Sequence, residues 1–451
     1  MAKKIRFFYW ILVGFIKKHP RALFVSIFLG TIGTLLSPKF IGILPKPLTT
    51  EKIGIVGQPT LAELPLFIQN QISIGLTSID ISGKAQPALS DKYTIENNGK
   101  RYIFYLQEGL YWHDGKAFNV EDVKYNFQNV STSFISPNSI VFELQEPFAP
   151  FPTLVSQPLF RQLRSSIFPG KSTLIGIGPT KVKKIIRNGH IIKEIILQSQ
   201  QKKIHYRFYH NQEAAIIAFK LGEIDKILDL SSPGELVNWP NTKISEVLHQ
   251  DRYVGLFYNT KDAYLSSKGL RQALTYAIPN KPSGERRALS PLNPNSWAFN
   301  PQVKPYEFSL EDSQRLLEAE KEENLNFHPT FELTTTLPYL TTAEQIKEQW
   351  STLGIPTTIK VATFLPESFQ ALLIGQEIPP DPDQYSLWHS TQSTNLTHYN
   401  SPKIDKLLED GRQTIDQKER IQIYQDFQRF LVEDSPAAFL FHLTTYTIER
   451  S

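Results

Sequence analysis

His113, Asp114 and Gly115 put an imidazole beside a carboxylate, the beginning of a general-base dyad. Asp–Gly between a strand-like run and a capped helix is ordinary turn chemistry, so the trio reads as a turn. His389 and His398 stand nine residues apart and could ligate a transition metal, but the chain has no cysteine and the close carboxylates are only Asp381 and Asp383, so no metal site is expected. Glu121–Asp122, Glu311–Asp312 and Glu409–Asp410 fall on helical patterns as solvated faces. No spacing selects two carboxylates held across a cleft, as glycoside hydrolysis needs. The G176-I-G-P179 run is too short for a nucleotide loop and reads as a turn, and no G-x-S-x-G, P-loop, G-x-G-x-x-G or H-E-x-x-H run occurs. Neither an enzyme nor a cofactor is expected.

Binding is better represented. Tyr385 and Trp388 end a strand-like run, 384–388, before a polar loop at 389–401. Aromatics beside a polar loop suit a solute cleft, the rings offering apolar faces and His389, Thr391, Gln392 and Asn395 offering neutral hydrogen bonds.

The elements that must position such a cleft form a mixed α/β pattern. Asn98–Gly99 marks a hairpin within 93–106, and Asn188–Gly189 a second between 180–186 and 190–198. Asn119 caps a helix expected over 120–130. Helices are expected at 211–222, 268–278, 309–323, 341–353 and 365–374, and strands at 203–209, 252–259 and 355–362. Residues 280–305, with five prolines, read as an irregular loop. Ser401–Pro402 opens one helix and Asp416 with Glu419 another, which Pro436 ends before a closing strand at 437–448.

Hydrophobic residues make up 41% and charged residues 20% of the 451-residue chain, with a net charge of +4. That is globular composition with no basic field for nucleic acid. Lys3, Lys4, Arg6, Lys17, Lys18 and Arg21 put six cations in the first 21 residues, a basic and apolar N-terminal segment. They precede an apolar run at 22–36 that reaches spanning length only when 37–44 are added. A cleavable signal peptide is the rival reading, but no small-x-small site follows the run. An uncleaved, single-pass transmembrane anchor at 22–44 is expected, with a linker at 45–51 and the main domain outside the cell membrane.

Taken in order, the segments resemble the extracellular solute-binding proteins of peptide and nickel ABC transporters, family 5. The most specific stretch is Y93-T-I-E-N-N-G-K-R-Y-I-F-Y-L-Q-E-G-L-Y-W-H-D-G-K-A-F-N-V-E-D-V-K-Y-N-F127. Collinear with it run G176-I-G-P-T180, L221-G-E-I-D225, F257-Y-N-T-K261, G269-L-R-Q-A-L-T-Y-A-I278, A343-E-Q-I-K-E-Q-W-S-T-L-G-I355, S401-P-K-I-D-K-L-L408 and V432-E-D-S-P436. The resemblance implies a two-lobed α/β fold of the periplasmic-binding-protein type (type II, large peptide-binder class). Lobe I is expected at 52–258 plus 437–451 and lobe II at 259–436. It also implies a monomer that hands a peptide or similar small solute to a permease. Tyr258 and Asn259 are expected at the first crossing between lobes. Thr180 replaces the family's usual Tyr and Pro279 its usual Asp. In peptide binders a Trp followed three residues later by Asp holds the peptide's amino group. Here Trp388 is followed by His389, Ser390 and Thr391, so that acid is missing at this spacing.

Overall fold

The computed structural model describes residues 9–10, 13–21, 24–26, 28, 30–31, 48–164, 172–323 and 327–451. The chain divides into two compact units, Met1–Thr50 with Gln200–Lys203, and Glu51–Ser199 with Ile204–Ser451. In the first unit Thr49 N donates to Gln201 O at 3.2 Å. Among the described residues no helix is long and apolar enough to cross a membrane. Most of the anchor expected at 22–44 lies outside the described residues.

The second unit is organised around a ten-stranded sheet. Its spatial order is Lys181–Asn188, Ile191–Gln198, Lys202–Tyr209, Thr49–Val56, Lys226–Leu230, Ala437–Arg450, Thr242–Tyr258, Ala371–Glu377, Phe331–Thr335 and Thr357–Val361. Two of these strands are long. Thr242–Tyr258 and Ala437–Arg450 pair antiparallel from Thr242–Arg450 to Phe257–Ala437, and the register breaks between His249 and Tyr253. On one side of the break, 444–450 runs beside Lys226–Leu230. On the other, 252–258 runs beside Ala371–Glu377. The same pair of strands therefore serves both halves of the sheet.

Strand periodicity explains how the second half is filled. Successive side chains on a strand point to opposite faces. Val254, Leu256 and Tyr258, with Ala438, Leu440, Ala371 and Leu373, face a core built on helices Lys268–Tyr276, Leu310–Glu323 and Leu340–Thr352. Tyr253, Phe257, Ala437, Phe439 and Leu372 face a second core with helices Pro402–Gln413 and Gln417–Asp434. Both faces are covered, which is why these strands are apolar at consecutive positions.

A separate four-stranded sheet, ordered Ser90–Glu96, Arg101–Leu106, Ser139–Leu144 and Val130–Ser136, carries its own aromatic core of Tyr102, Phe104, Trp112, Phe142 and Phe151. Its first hairpin turns at Asn97, Asn98 and Gly99, all left-handed (φ 50°, 52° and 85°).

Three elements differ from expectation. Asn119 does make a capping box with Asp122, but only a 3-10 turn, Val120–Asp122, follows. Residues 130–136 become a strand because they pair with Ser139–Leu144. The helix expected over 365–374 is strand Ala371–Glu377, in register with Arg252–Tyr258 over seven residues. The strand expected over 384–388 is one helical turn, Tyr385–Trp388. In both cases a short apolar run carried no period of its own, and the neighbouring strand or core decided its state. The Pro-rich 280–305 segment is ordered without being regular. Arg287 donates to Leu440 O (2.8 Å), Ala288 O (2.6 Å), Pro305 O (2.7 Å) and Phe439 O, so this segment clasps the closing strand.

Candidate functional site

In open α/β sheets ligands bind beyond the carboxyl ends of parallel strands. The carboxyl end of Ala371–Glu377 leads into Ile378-Pro379-Pro380-Asp381, and Ile378 N bonds to Asp251 O (2.8 Å) close to the register break. Facing this segment is the turn 80–86. Asp80 builds that turn by accepting from Ser82 N (2.9 Å), Ser82 Oγ (2.7 Å), Lys84 N (3.0 Å) and Gln86 Nε2 (2.8 Å). Burial works against its charge, but these donors win and hold its carboxyl below the usual carboxylate range. Gly83 has φ +84°, and a Cβ there would collide with the Pro380 carbonyl. Only glycine lets the two segments approach this closely.

Two cavities flank the contact. One, about 170 Å³, is lined by Asp80, Ser82, Asp251, Asn293, Ser296 and Ile378 among others. The other, about 260 Å³, is lined by Gly83–Gln86, Tyr93, Thr153, Trp297, Asp381, Gln417 and Arg420 among others. Trp297 N donates to Ser82 O (3.2 Å) between them. Arg420 and Asp381 form a buried ion pair in the wall (Nη2 to Oδ1, 2.7 Å), with the Arg420 Nε on Gly411 O (2.9 Å). Burial pushes the Asp381 carboxyl up against the pull of Arg420. Trp297 lies 5.1 Å from the guanidinium. These walls are polar and small, fit to enclose a compact solute by hydrogen bonds and charge.

The residues singled out from the sequence lie elsewhere. None of the eight lines either of these two cavities. Tyr258 ends its strand on the far side of the His249–Tyr253 register break, and Asn259 follows it. Tyr258 is fully buried with its hydroxyl on Thr275 (3.0 Å). Asn259 donates to Phe369 O (2.9 Å) and takes Lys261 N (3.1 Å). Trp388 is 2% exposed and packs on Phe257 and Phe439, so it offers no face to a solute in this structure. Asn395, also buried, spends its amide on the carbonyls of Trp388, His389 and Tyr399. Gln392 and Asn395 line a different cavity of about 430 Å³ with Thr260, Lys261, Arg271 and His398. Thr391 is exposed and bonds to His389 Nδ1 (2.9 Å), and Tyr385 stacks on His389.

Among the described residues no group of three or more metal-ligating side chains converges. His113 does sit in a turn: Gly115 N returns to Trp112 O (2.8 Å), and the ring bonds to Gly178 O (2.8 Å). Burial lowers its pKa.

Asp80, Lys84, Trp297 and Arg420 were missed in the sequence. Asp381-Pro382-Asp383 was visible only as a pair of carboxylates near His389, and Trp297 was hidden in the Pro-rich segment. The D80-I-S-G83 turn was a signal, since Asp and Gly there match a built loop.

Comparison with known proteins bears on the family and the fold. A family model described as "Bacterial extracellular solute-binding proteins, family 5 Middle" matches residues 84–397. The dipeptide-binding protein of Escherichia coli (strain K12) is 22% identical over 435 residues, covering 80% of this chain and 81% of its own. The crystal structure of NikZ from Campylobacter jejuni in complex with Ni(L-His) is similar at TM-score 0.69 and 22% identity, covering 90% of this chain and 94% of that one. AppA from Bacillus subtilis in complex with a nonapeptide is similar at TM-score 0.67 and 19% identity, covering 90% and 95%. The likeness shows a mixed α/β, two-lobed periplasmic-binding-protein fold.

Proposed function

This chain belongs to the bacterial extracellular solute-binding proteins of family 5, and on that premise we propose that it is the extracytoplasmic substrate-binding component of an ABC transporter. It captures a peptide or similar small solute by closure of two lobes and delivers it to a permease, acting as a monomer and without chemistry of its own.

The observation that carries the reading is the pair of long strands shared by both halves of the sheet. A break in register between His249 and Tyr253 leaves a few residues there able to absorb a change of angle. Side chains already bridge this point. His249 Nε2 meets Thr445 Oγ1 (2.7 Å), and His442 Nδ1 meets Arg252 O (2.9 Å). The lobe boundary therefore falls inside both strands, near 249–253 and 442–444, rather than at 258/259 and 436/437. Lobe I carries the small sheet, and lobe II carries the two-faced half-sheet with its helices.

Solute is held at the cavities flanking Gly83 and Pro380, rather than on the 385–398 loop. Residues 22–44 anchor the chain in the membrane with the lobes outside. Sequencing the native N-terminus tests the anchor, which a mature start near residue 45 would sink. Thermal-shift screening of the full chain against di-, tri- and oligopeptides and a nickel–histidine chelate tests the function. A ligand that stabilises the chain and also reduces its radius of gyration in scattering supports capture by closure. Stabilisation without compaction contradicts it.

A further inference from the structure

The small sheet of lobe I and the helices of lobe II meet at one further place. Arg412, near the end of helix Pro402–Gln413, has its guanidinium carbon 4.0 Å from the centre of the Tyr385 ring and 5.2 Å from that of Phe148. On its own side it is fixed, since its Nε donates to Asp383 Oδ2 at 2.9 Å. Tyr385 is fixed in turn by stacking on His389, centroids 4.1 Å apart, and His389 is held by Thr391 (2.9 Å) with Glu409 3.4 Å from its Nε2. Phe148 is the member of this column that comes from lobe I. Beside it, Ala149 N donates to the Arg412 carbonyl at 2.7 Å. Gly99 lies against Ile415, and a Cβ at this left-handed position would collide with the Ile415 side chain.

A cation–π contact, a backbone hydrogen bond and an apolar contact thus converge from one corner of lobe I onto residues 412–415 of lobe II. All three are intact only while the lobes meet. We propose that this column is an inter-lobe latch, with Arg412 a positioning residue that sets the equilibrium between open and closed forms without touching solute. Apparent affinity scales with the fraction of molecules in the competent form, so the latch tunes capture remotely. It gives Tyr385, His389 and Thr391 a part in closure.

The chain has no cysteine, so paired labels can be placed uniquely. Spin labels at Asp91→Cys on the small sheet and Lys418→Cys on lobe II, both exposed, report the gap by electron–electron resonance. With the latch intact the solute-free chain should give a short, narrow distance distribution. Arg412→Lys keeps the charge but loses the planar fork, and should shift population to longer distances. Phe148→Ala, made from the other lobe, should produce the same shift, and Phe148→Tyr should not. The double variant Phe148→Ala/Arg412→Lys should match the singles, since each removes the same contact. Distributions unchanged from the parent in both single variants, or additive widening in the double, would overturn the proposal. The readout needs no solute, so it stands apart from whether the solute site is correctly assigned.

Discussion

Replacing Trp388 by alanine separates a core residue from a solute-stacking one. The indole is 2% exposed and lies 6.2 Å from the Phe257 ring and 6.0 Å from the Phe439 ring, centre to centre. Truncating a buried Trp costs about 3–5 kcal/mol. Its indole nitrogen, however, has no hydrogen-bond partner, and removing a buried unpaired donor returns about 1–3 kcal/mol. A net loss of about 2 kcal/mol of folding stability is expected. Trp388→Phe keeps most of the apolar area, drops the unpaired N–H and should lie within about 1.5 kcal/mol of the parent. Urea unfolding followed by circular dichroism gives both values from the midpoint and slope. Solute affinity per folded molecule should stay unchanged in both variants. Unfolding free energy preserved in Trp388→Ala, together with a tenfold loss of affinity, would refute the core assignment.

The buried ion pair predicts an asymmetry. Arg420→Met strands Asp381 without its partner and should cost about 3–5 kcal/mol, whereas Asp381→Leu with Arg420→Met should recover most of it, both read by chemical denaturation. Lys281 offers a pH dependence. Its ammonium donates to Thr275 O (2.7 Å) and Tyr306 O (2.5 Å), and burial, aided by Arg287 and opposed by Glu307, pushes its pKa down to about 7. Between that value and the ordinary lysine range the unfolded chain holds a proton that the folded chain lacks. This group's contribution therefore rises with pH above about 7 and is lost as pH falls through 7, with a slope of up to about 1.4 kcal/mol per unit. Lys281→Met should flatten the difference in urea stability between pH 6.5 and pH 9, and an unchanged difference would show that Lys281 does not titrate in this range. Gly83→Ala forces a side chain into left-handed backbone against the Pro380 carbonyl. It should cost about 1–3 kcal/mol and weaken solute retention, measured by the amount that co-purifies.

The fold was legible because its signals were local or collinear. The Asn98–Gly99 turn, the Asp416 cap, whose side chain accepts from Glu419 N, and the alternating faces of the long strands are written in short spacings. The site was harder to read. Tyr258 lies in the segment expected at the crossing, whereas the register break on which the proposed boundary rests lies five to nine residues upstream in the same strand, and no residue type announces it. Trp388 and Asn395 look like cleft residues because aromatics and amides favour clefts, but the same groups fill a core when Phe257 and Phe439 cover the ring and backbone carbonyls take the amide. Lys84, Trp297 and Arg420 come from segments more than a hundred residues apart, and the approach of the 80–86 turn to Trp297 and Pro380 brings them to one cavity.

Solute capture between the lobes is tested most directly by native mass spectrometry of the full chain, purified without denaturant from its own cells and compared with Gly83→Ala. The parent is expected to carry one small solute at 1:1, released on denaturation and depleted in the variant. A parent spectrum showing only the mass of the bare chain, or a solute retained equally by Gly83→Ala, would contradict binding at the cavities flanking Gly83 and Pro380.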